Sequence, residues 1–353
     1  MKYRLLGHSG LRVSEISLGA MTFGEEWGWG SSEKESETMY RLYREEGGNF
    51  IDTANIYTNG TSEEITGRLI RGERHDIVLA TKYTFATKPG EPNSGGNHRK
   101  SMHQALDQSL KRLGTDYIDL YWVHMWDPFT PIEETMRALD DMVRAGKVLY
   151  VGISDAPAWV VSQANTIAEL RGWTPFVGIQ VEYSLAQRDP ERDLIPMARH
   201  LDIGITAWSP LAMGVLTGKY NSGHGDGSDS RRIDSLKNSM EGLANQYVTE
   251  RNLGIAGEVV KIAGEIDRTP SQVALNWIRQ QPGHPIPIIG TRKSSHIEDN
   301  LKCVEFELSP DYLKRLDDAS AIQLGFPHDL MNIKEVKAML YAGTYDSIEA
   351  GRA

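Results

Sequence analysis

Four residues sit where apolar runs end, and together they could move a proton: Asp52, Tyr57, Lys82 and His124. Asp52 closes the run Phe50-Ile51, which follows Gly47-Gly48. A strand that only built core would not end on a carboxylate, because a buried charge is costly unless it is paired. Lys82 ends the next apolar run, Ile77-Val78-Leu79-Ala80-Thr81, and supplies the cation. Tyr57 lies just ahead of the turn signal Asn59-Gly60, so the loop can fold it back over the strand end. His124 ends a third run, Tyr117-Ile118-Asp119-Leu120-Tyr121-Trp122-Val123. A phenol has an ordinary pKa of about 10, and an ammonium beside it favours phenolate and lowers that value. Asp52 would pair Lys82 and hold it in place, while His124 would orient a substrate oxygen. Such a set delivers a proton to an oxygen that becomes alkoxide as its carbon receives hydride. That is carbonyl reduction, or alcohol oxidation in reverse. None of the four is a good nucleophile. His98, His103 and His124 are scattered rather than set at metal-ligand spacing, and no metal is expected.

These strand ends meet only if the strands are parallel and open on one mouth. After a short hairpin over 2–13 and a first core strand at Ile16–Gly19, strand and helix patterns alternate. Helices are predicted over 33–46, 62–71, 100–113, 131–145, 158–170, 190–200 and 271–281. Strands are predicted over 49–52, 77–81, 117–123, 148–153, 176–181, 204–208 and 285–289. Ser62, with Glu63 and Glu64 behind it, is read as the start of the second helix. Eight strand–helix units within 353 residues match a (β/α)8 barrel in count and size. The competitor is a doubly wound sheet, but no Gly-x-Gly-x-x-Gly follows the first strand. With no break in composition, the whole of 1–353 reads as one barrel domain. Residues 209–250 form a long insert after the seventh strand. The tail from 308 carries helix patterns near 310–319 and 333–341, placed either across the mouth or on the side of the barrel.

Composition narrows the class. A formal charge of -10 argues against a protein built to coat nucleic acid. The single cysteine, Cys303, cannot form an intrachain disulfide, and a reducing, cytoplasmic setting is the default expectation. The N-terminus shows no apolar signal-peptide core, and no run approaches the roughly 18 apolar residues of a membrane span. Oligomeric state is left open, homo-oligomers included.

Hydride needs a carrier, and the later strands supply groups for one. Ser154, Asp155 and Gln180 could hydrogen-bond a carboxamide, and Tyr183 could stack on a flat ring. Gly290-Thr291-Arg292-Lys293-Ser294 leads into a helix and reads as a phosphate site. The loop from Met21 to Gly30 holds Trp27 and Trp29. With Trp126, Tyr57 and His124 they would wall a pocket for a bulky or ring-containing carbonyl or alcohol.

The order and spacing of Asp52, Tyr57, Lys82 and His124 resemble the tetrad of the aldo-keto reductases. The likeness runs from Leu11-Arg12-Val13-Ser14 to Asn300. The segment Trp208-Ser209-Pro210-Leu211-Ala212-Met213-Gly214-Val215-Leu216-Thr217-Gly218-Lys219-Tyr220 resembles the branch that holds potassium-channel β-subunits and fungal aryl-alcohol dehydrogenases. The resemblance implies a (β/α)8 barrel that binds NADP(H) without a dinucleotide-binding sheet. Tyr57 would be the acid/base, Lys82 and Asp52 its tuners, and His124 the group that orients the carbonyl. Tyr183 would stack on nicotinamide, with Ser154, Asp155 and Gln180 on the carboxamide side. The loop with Trp208, Ser209, Pro210, Leu211, Met213, Gly214 and Lys219 would cross the pyrophosphate. Arg231 or Arg232 would match the arginine that follows it. Met21, Gly290, Arg292, His296, Asp299 and Asn300 complete the implied cofactor contacts, with Arg292 facing a 2′-phosphate. Three positions depart from the pattern: Asp155 replaces the commoner Asn or Arg, His296 replaces Gln and Asp299 replaces Glu. A second class of function fits the same resemblance, a redox-sensing regulatory subunit attached to a protein partner.

Overall fold

The computed structural model describes residues 1–221 and 245–349. Strands β1 (Tyr3–Leu5) and β2 (Arg12–Ser14) pair antiparallel as the predicted hairpin. Eight parallel strands then follow: β3 (Ser17–Gly19), β4 (Phe50–Asp52), β5 (Val78–Tyr83), β6 (Ile118–Val123), β7 (Val148–Ser154), β8 (Phe176–Glu182), β9 (Gly204–Trp208) and β10 (Ile286–Ile289). They pair in sequence order, and β10 returns to β3 through Ile288–Ser17 and Ile289–Leu18, so the sheet closes on itself. That closure is what separates the barrel from an open doubly wound sheet.

Helices α1 (Glu33–Glu45), α2 (Thr61–Ile70), α3 (Arg99–Leu113), α4 (Ile132–Arg144), α5 (Ala158–Arg171) and α6 (Leu194–His200) connect the first seven barrel strands. Helices α7 (Glu250–Glu265) and α8 (Pro270–Gln280) precede β10, and α9 (Ser294–Leu301) follows it. The tail adds α10 (Pro310–Ser320), α11 (His328–Asn332) and α12 (Lys334–Leu340). Among the described residues, no helix is long and apolar enough to cross a membrane.

Side-chain alternation along the strands sets the interior. Phe50, Val78, Ala80, Leu120, Trp122, Val177 and Ile286 form one buried cluster with Leu6 and Val13 of the hairpin. The neighbouring residues of the strands, among them Ile51, Leu79 and Tyr121, join the larger shell that packs on the helices. Leu6 and Val13 thus close the N-terminal end of the barrel. Trp122 fills the middle because β7 and β8 present glycine there. A Cβ on Gly152 would lie 2.3 Å from the Trp122 ring, and one on Gly178 would lie 2.9 Å from it.

Two sequence expectations need correction. Helix α2 begins at Thr61 after Gly60, whose φ of 101° favours glycine, and no side chain caps it. Ser62 instead bridges Thr53 Oγ1 at 2.8 Å and the Ala20 carbonyl at 2.6 Å, tying α2 to the mouth. The predicted helix over 190–200 is a 3-10 turn at Asp189–Glu191 followed by the shorter α6. Helix α7 was not predicted, because Gly254, Gly257 and Gly264 dilute its apolar face. Its buried Ile255, Val259 and Ile262 show that packing overrides that propensity. In the tail, Leu316 of α10 is buried, whereas α11 and α12 bury no residue.

Candidate active site

The same alternation that builds the floor raises polar groups at the open end. Phe50 and Val78 point into the floor, so Asp52 two residues later and Lys82 four residues later also point inward, one level up. On β6, Leu120 and Trp122 point inward, and His124 is the next position of that face.

Lys82 is fully buried. Its ammonium donates to Asp52 Oδ1, to the Thr53 carbonyl at 2.8 Å and to the Tyr57 hydroxyl at 3.1 Å. All three of its protons are therefore used, which is the condition for keeping a charge at this depth. Burial acts against that charge, but Asp52 and then Tyr57 outweigh it, so the Lys82 pKa stands above its ordinary value. The other oxygen of Asp52 accepts from Gln180 Nε2 at 2.9 Å. Gln180 thus reaches across the barrel to the carboxylate.

Tyr57 opens a tight 3-10 turn, Tyr57–Gly60, in which Thr58 and Asn59 take positive φ. The turn holds the phenol over Lys82, whose Nζ lies 4.7 Å from the ring centroid. Part of the ring stays open to the mouth. Burial raises the Tyr57 pKa; Lys82 pulls it down and Asp52 pushes it up. The net value is raised, so the expected lowering does not occur: the ammonium acts in the expected direction but less strongly than lost hydration.

His124 meets the Tyr57 ring edge-on at 5.7 Å and Phe85 edge-on at 4.7 Å. Its backbone N–H is held by the Tyr83 carbonyl at 3.0 Å and by Thr84 Oγ1 at 3.2 Å. Burial, and then the Lys82 charge, push its pKa well below the ordinary 6.5, so the imidazole is neutral near pH 7. Trp27 lies edge-on to Tyr57 at 6.3 Å and beside Trp29 at 5.4 Å. The structure therefore brings Trp27, Trp29, Tyr57 and His124 together. Trp126 is partly buried, and its backbone N–H donates to the Asp155 carbonyl at 3.4 Å.

Across the mouth, Trp208 ends β9 and keeps part of its surface exposed. Its indole N–H donates to Asp155 Oδ1 at 3.0 Å. Burial first, and then the nearby Glu182 carboxylate, push the Asp155 carboxyl up to about 6. Ser154 is buried and hydrogen-bonds Asp155. Tyr183 is the clearest misplacement. It is only 1% exposed, its ring packs on Trp277 at 5.4 Å, and its hydroxyl donates to Glu191 at 2.7 Å. It lies one residue past Glu182 and faces the helical layer, so Trp208 is the flat ring available at this side of the mouth.

The loop after β9 coils tightly. Ser209, Ala212 and Met213 all adopt positive φ, as does Gly214. Ser209 Oγ contacts Met213 Sδ at 3.8 Å, and Pro210 is buried while Leu211 is partly so. Lys219 comes back to Gly214, where a Cβ would lie 3.1 Å from Nζ. Met21 is partly buried, and its neighbour Thr22 ties this loop to the Thr291 carbonyl at 2.6 Å. Gly290 is exposed, Arg292 is partly exposed and His296 is exposed near the start of α9. Glu35 of α1 accepts the backbone N–H of Ser294 there. Asn300 is buried. Asp299 is turned to the start of α8, accepting from Thr269 and from Gln272 at 2.8 Å each, instead of presenting an open carboxylate. Arg231 and Arg232 lie outside the described residues.

Sequence reasoning missed three participants. Phe85 carried a signal, an aromatic just past the end of β5. Thr53 acts through its carbonyl and leaves no trace in the sequence. Glu182 is recognisable only once the inward face of β8 is known from Gln180.

Comparison with known proteins agrees with this geometry. Residues 15–321 match the family model described as the aldo/keto reductase family. The chain is 38% identical to an aryl-alcohol dehydrogenase [NADP(+)] of Phanerodontia chrysosporium, over 98% of this chain and 92% of that protein. It is 36% identical to a norsolorinic acid reductase of Aspergillus flavus, over 93% and 84% respectively. It is 37% identical to a Schizosaccharomyces pombe protein provisionally named a voltage-gated potassium channel subunit beta, over 90% and 92%.

Proposed function

The chain belongs to the aldo/keto reductase family, and from that premise we propose that it is an NADP(H)-dependent oxidoreductase. It transfers hydride between nicotinamide and the carbonyl or alcohol carbon of a bulky, ring-bearing aldehyde, ketone or alcohol. The observation that carries this reading is the Tyr57 hydroxyl, 3.1 Å from a fully buried ammonium that Asp52 neutralises.

Bound at the mouth, the reduced cofactor would supply the hydride. The residues supply the rest. Trp208 offers a flat face, the tightly coiled backbone from Ser209 to Gly214 allows close approach, and Lys219 adds a cation beside it. Exposed Gly290, with the cations Arg292 and Lys293 beside it, offers a phosphate contact, whereas the Ser294 N–H at the start of α9 is taken by Glu35. This set fits a phosphorylated dinucleotide.

The raised pKa of Tyr57 keeps its proton in place at neutral pH. As hydride reaches the substrate carbon, the oxygen gains basicity and takes that proton, so carbonyl, hydride and proton together become the alcohol. The phenolate left behind faces Lys82, which stabilises it, and the proton is restored from solvent. Neutral His124 orients the substrate oxygen through a ring N–H. The tryptophan-lined side, Trp27 and Trp29, favours aromatic substrates. The completeness of the set Asp52, Tyr57, Lys82 and His124 supports turnover over cofactor sensing alone.

The test is titration of tryptophan fluorescence with NADPH and with NADH. Saturable quenching at micromolar NADPH supports the reading. Tighter binding of NADH removes the 2′-phosphate contact assigned to Arg292, and binding of neither removes the oxidoreductase reading.

A further inference from the structure

We propose that Asp155 makes the mouth discriminate between the two redox states of the nicotinamide cofactor, favouring the oxidised form by its charge. The inference rests on the cofactor reading above and concerns its regulation at that same site.

Asp155 follows β7 in a left-handed conformation, φ 46°, which Asp and Asn tolerate better than most residues. Its carboxylate reaches over the end of β8 to the indole of Trp208 on β9, at 3.0 Å. It therefore lies at the edge of the flat ring available for stacking. Glu182, two residues past Gln180 on β8, brings a second carboxylate, which accepts from the Tyr247 hydroxyl at 2.7 Å. The fields of Glu182 and Lys82 both reach Asp155, and the field of Asp155 reaches Tyr57. Neither Asp155 nor Glu182 forms an ion pair with a described residue. The cation whose field reaches Asp155, Lys82, is already matched by Asp52. With Asp52 and Lys82 cancelling, Asp155 and Glu182 add two carboxylates to the β7–β9 side of the mouth.

An oxidised nicotinamide ring is a cation, and a reduced one is neutral. The remaining charges of the cofactor are the same in both states, so every contact to phosphate, ribose and adenine cancels when the two affinities are compared. What remains is the field at the ring. A carboxylate several ångströms away in a partly buried setting shifts the ratio of the two dissociation constants by about tenfold or more at an effective dielectric near 20. This acts in addition to any effect on Tyr57. It also separates Asp155 from the neutral carboxamide contact that an Asn would make.

The experiment compares wild type with Asp155→Asn, which preserves shape, left-handed tolerance and an acceptor for Trp208. Each is titrated at pH 7.5 with NADP+ and NADPH by calorimetry. The expected result is a loss of NADP+ affinity of about tenfold in the variant with NADPH affinity little changed. An equal loss for both forms, or no change in either, overturns the proposal and leaves the oxidoreductase reading standing. Failure of wild type to bind either form removes both. If Asp155→Asn does not fold, Asp155→Ser removes the same charge and makes the same comparison, and an unchanged NADP+ to NADPH ratio there overturns the proposal.

Discussion

The two halves of the mouth bury charge in opposite ways. On the β4–β6 side, Lys82 is completely enclosed, yet it keeps its proton because Asp52, the Thr53 carbonyl and the Tyr57 hydroxyl satisfy it. On the β7–β9 side, Asp155 and Glu182 are held by neutral donors, Trp208 and Tyr247, and burial raises both carboxyls. The difference shows that depth alone does not decide protonation. A charge with a partner of opposite sign stays charged, whereas one with only dipoles around it shifts toward neutrality.

The comparison can be broken most severely at Tyr57. Tyr57→Phe removes the hydroxyl and leaves the Lys82–Asp52 pair, so kcat should fall by about 10²–10⁴-fold with cofactor affinity retained. Steady-state turnover and direct titration check the two halves of that statement, and undiminished turnover would falsify the acid role. Lys82→Met acts on the paired side. It leaves Asp52 buried without its cation and should destabilise the fold by about 3–5 kcal/mol, measured by urea unfolding at pH 7.5. A neutral result would mean that Asp52 takes up a proton at little cost.

Asp155→Asn should do the reverse on the unpaired side. The folded protein holds the Asp155 proton more tightly than the unfolded chain, with a carboxyl moved from 3.8 to about 6. Stability therefore declines as pH rises from about 4 to about 6 and stays lower above that range. The variant should gain up to about 3 kcal/mol over wild type at pH 7.5 and nothing at pH 4. Equal gains at both pH values would assign the effect to packing. The smallest effect concerns His124, whose pKa is lowered by burial and then by Lys82. The unfolded chain takes up that proton first, so stability falls as pH drops below about 6.5. His124→Gln should remove about 1 kcal/mol of that loss at pH 6. The nitrogen shifts of His124 should report a neutral ring from pH 8 to 6.

Legibility in the sequence followed the same division. The paired side was readable because its logic is short in sequence: an inward carboxylate and an inward ammonium at the ends of successive strands, with a phenol in the next turn. Closure of the barrel was readable from repetition. The unpaired side was not, because it depends on which way a residue faces after its strand has ended. Tyr183 and Trp208 both follow apolar runs, and only the register of β8 and β9 turns one into the helical layer and leaves the other at the mouth. The bond from Gln180 across the barrel to Asp52 is equally invisible in the sequence, which shows only a polar residue near the end of an apolar run. Helix α7 was missed because packing, not propensity, forms it.

The hairpin at the far end has a kinetic consequence. Leu6 and Val13 seal the floor, so among the described residues the barrel is a cul-de-sac entered from the opposite end. Whatever lies deepest must arrive first and depart last. Two ligands sharing such a room cannot exchange independently, and their comings and goings form a compulsory sequence.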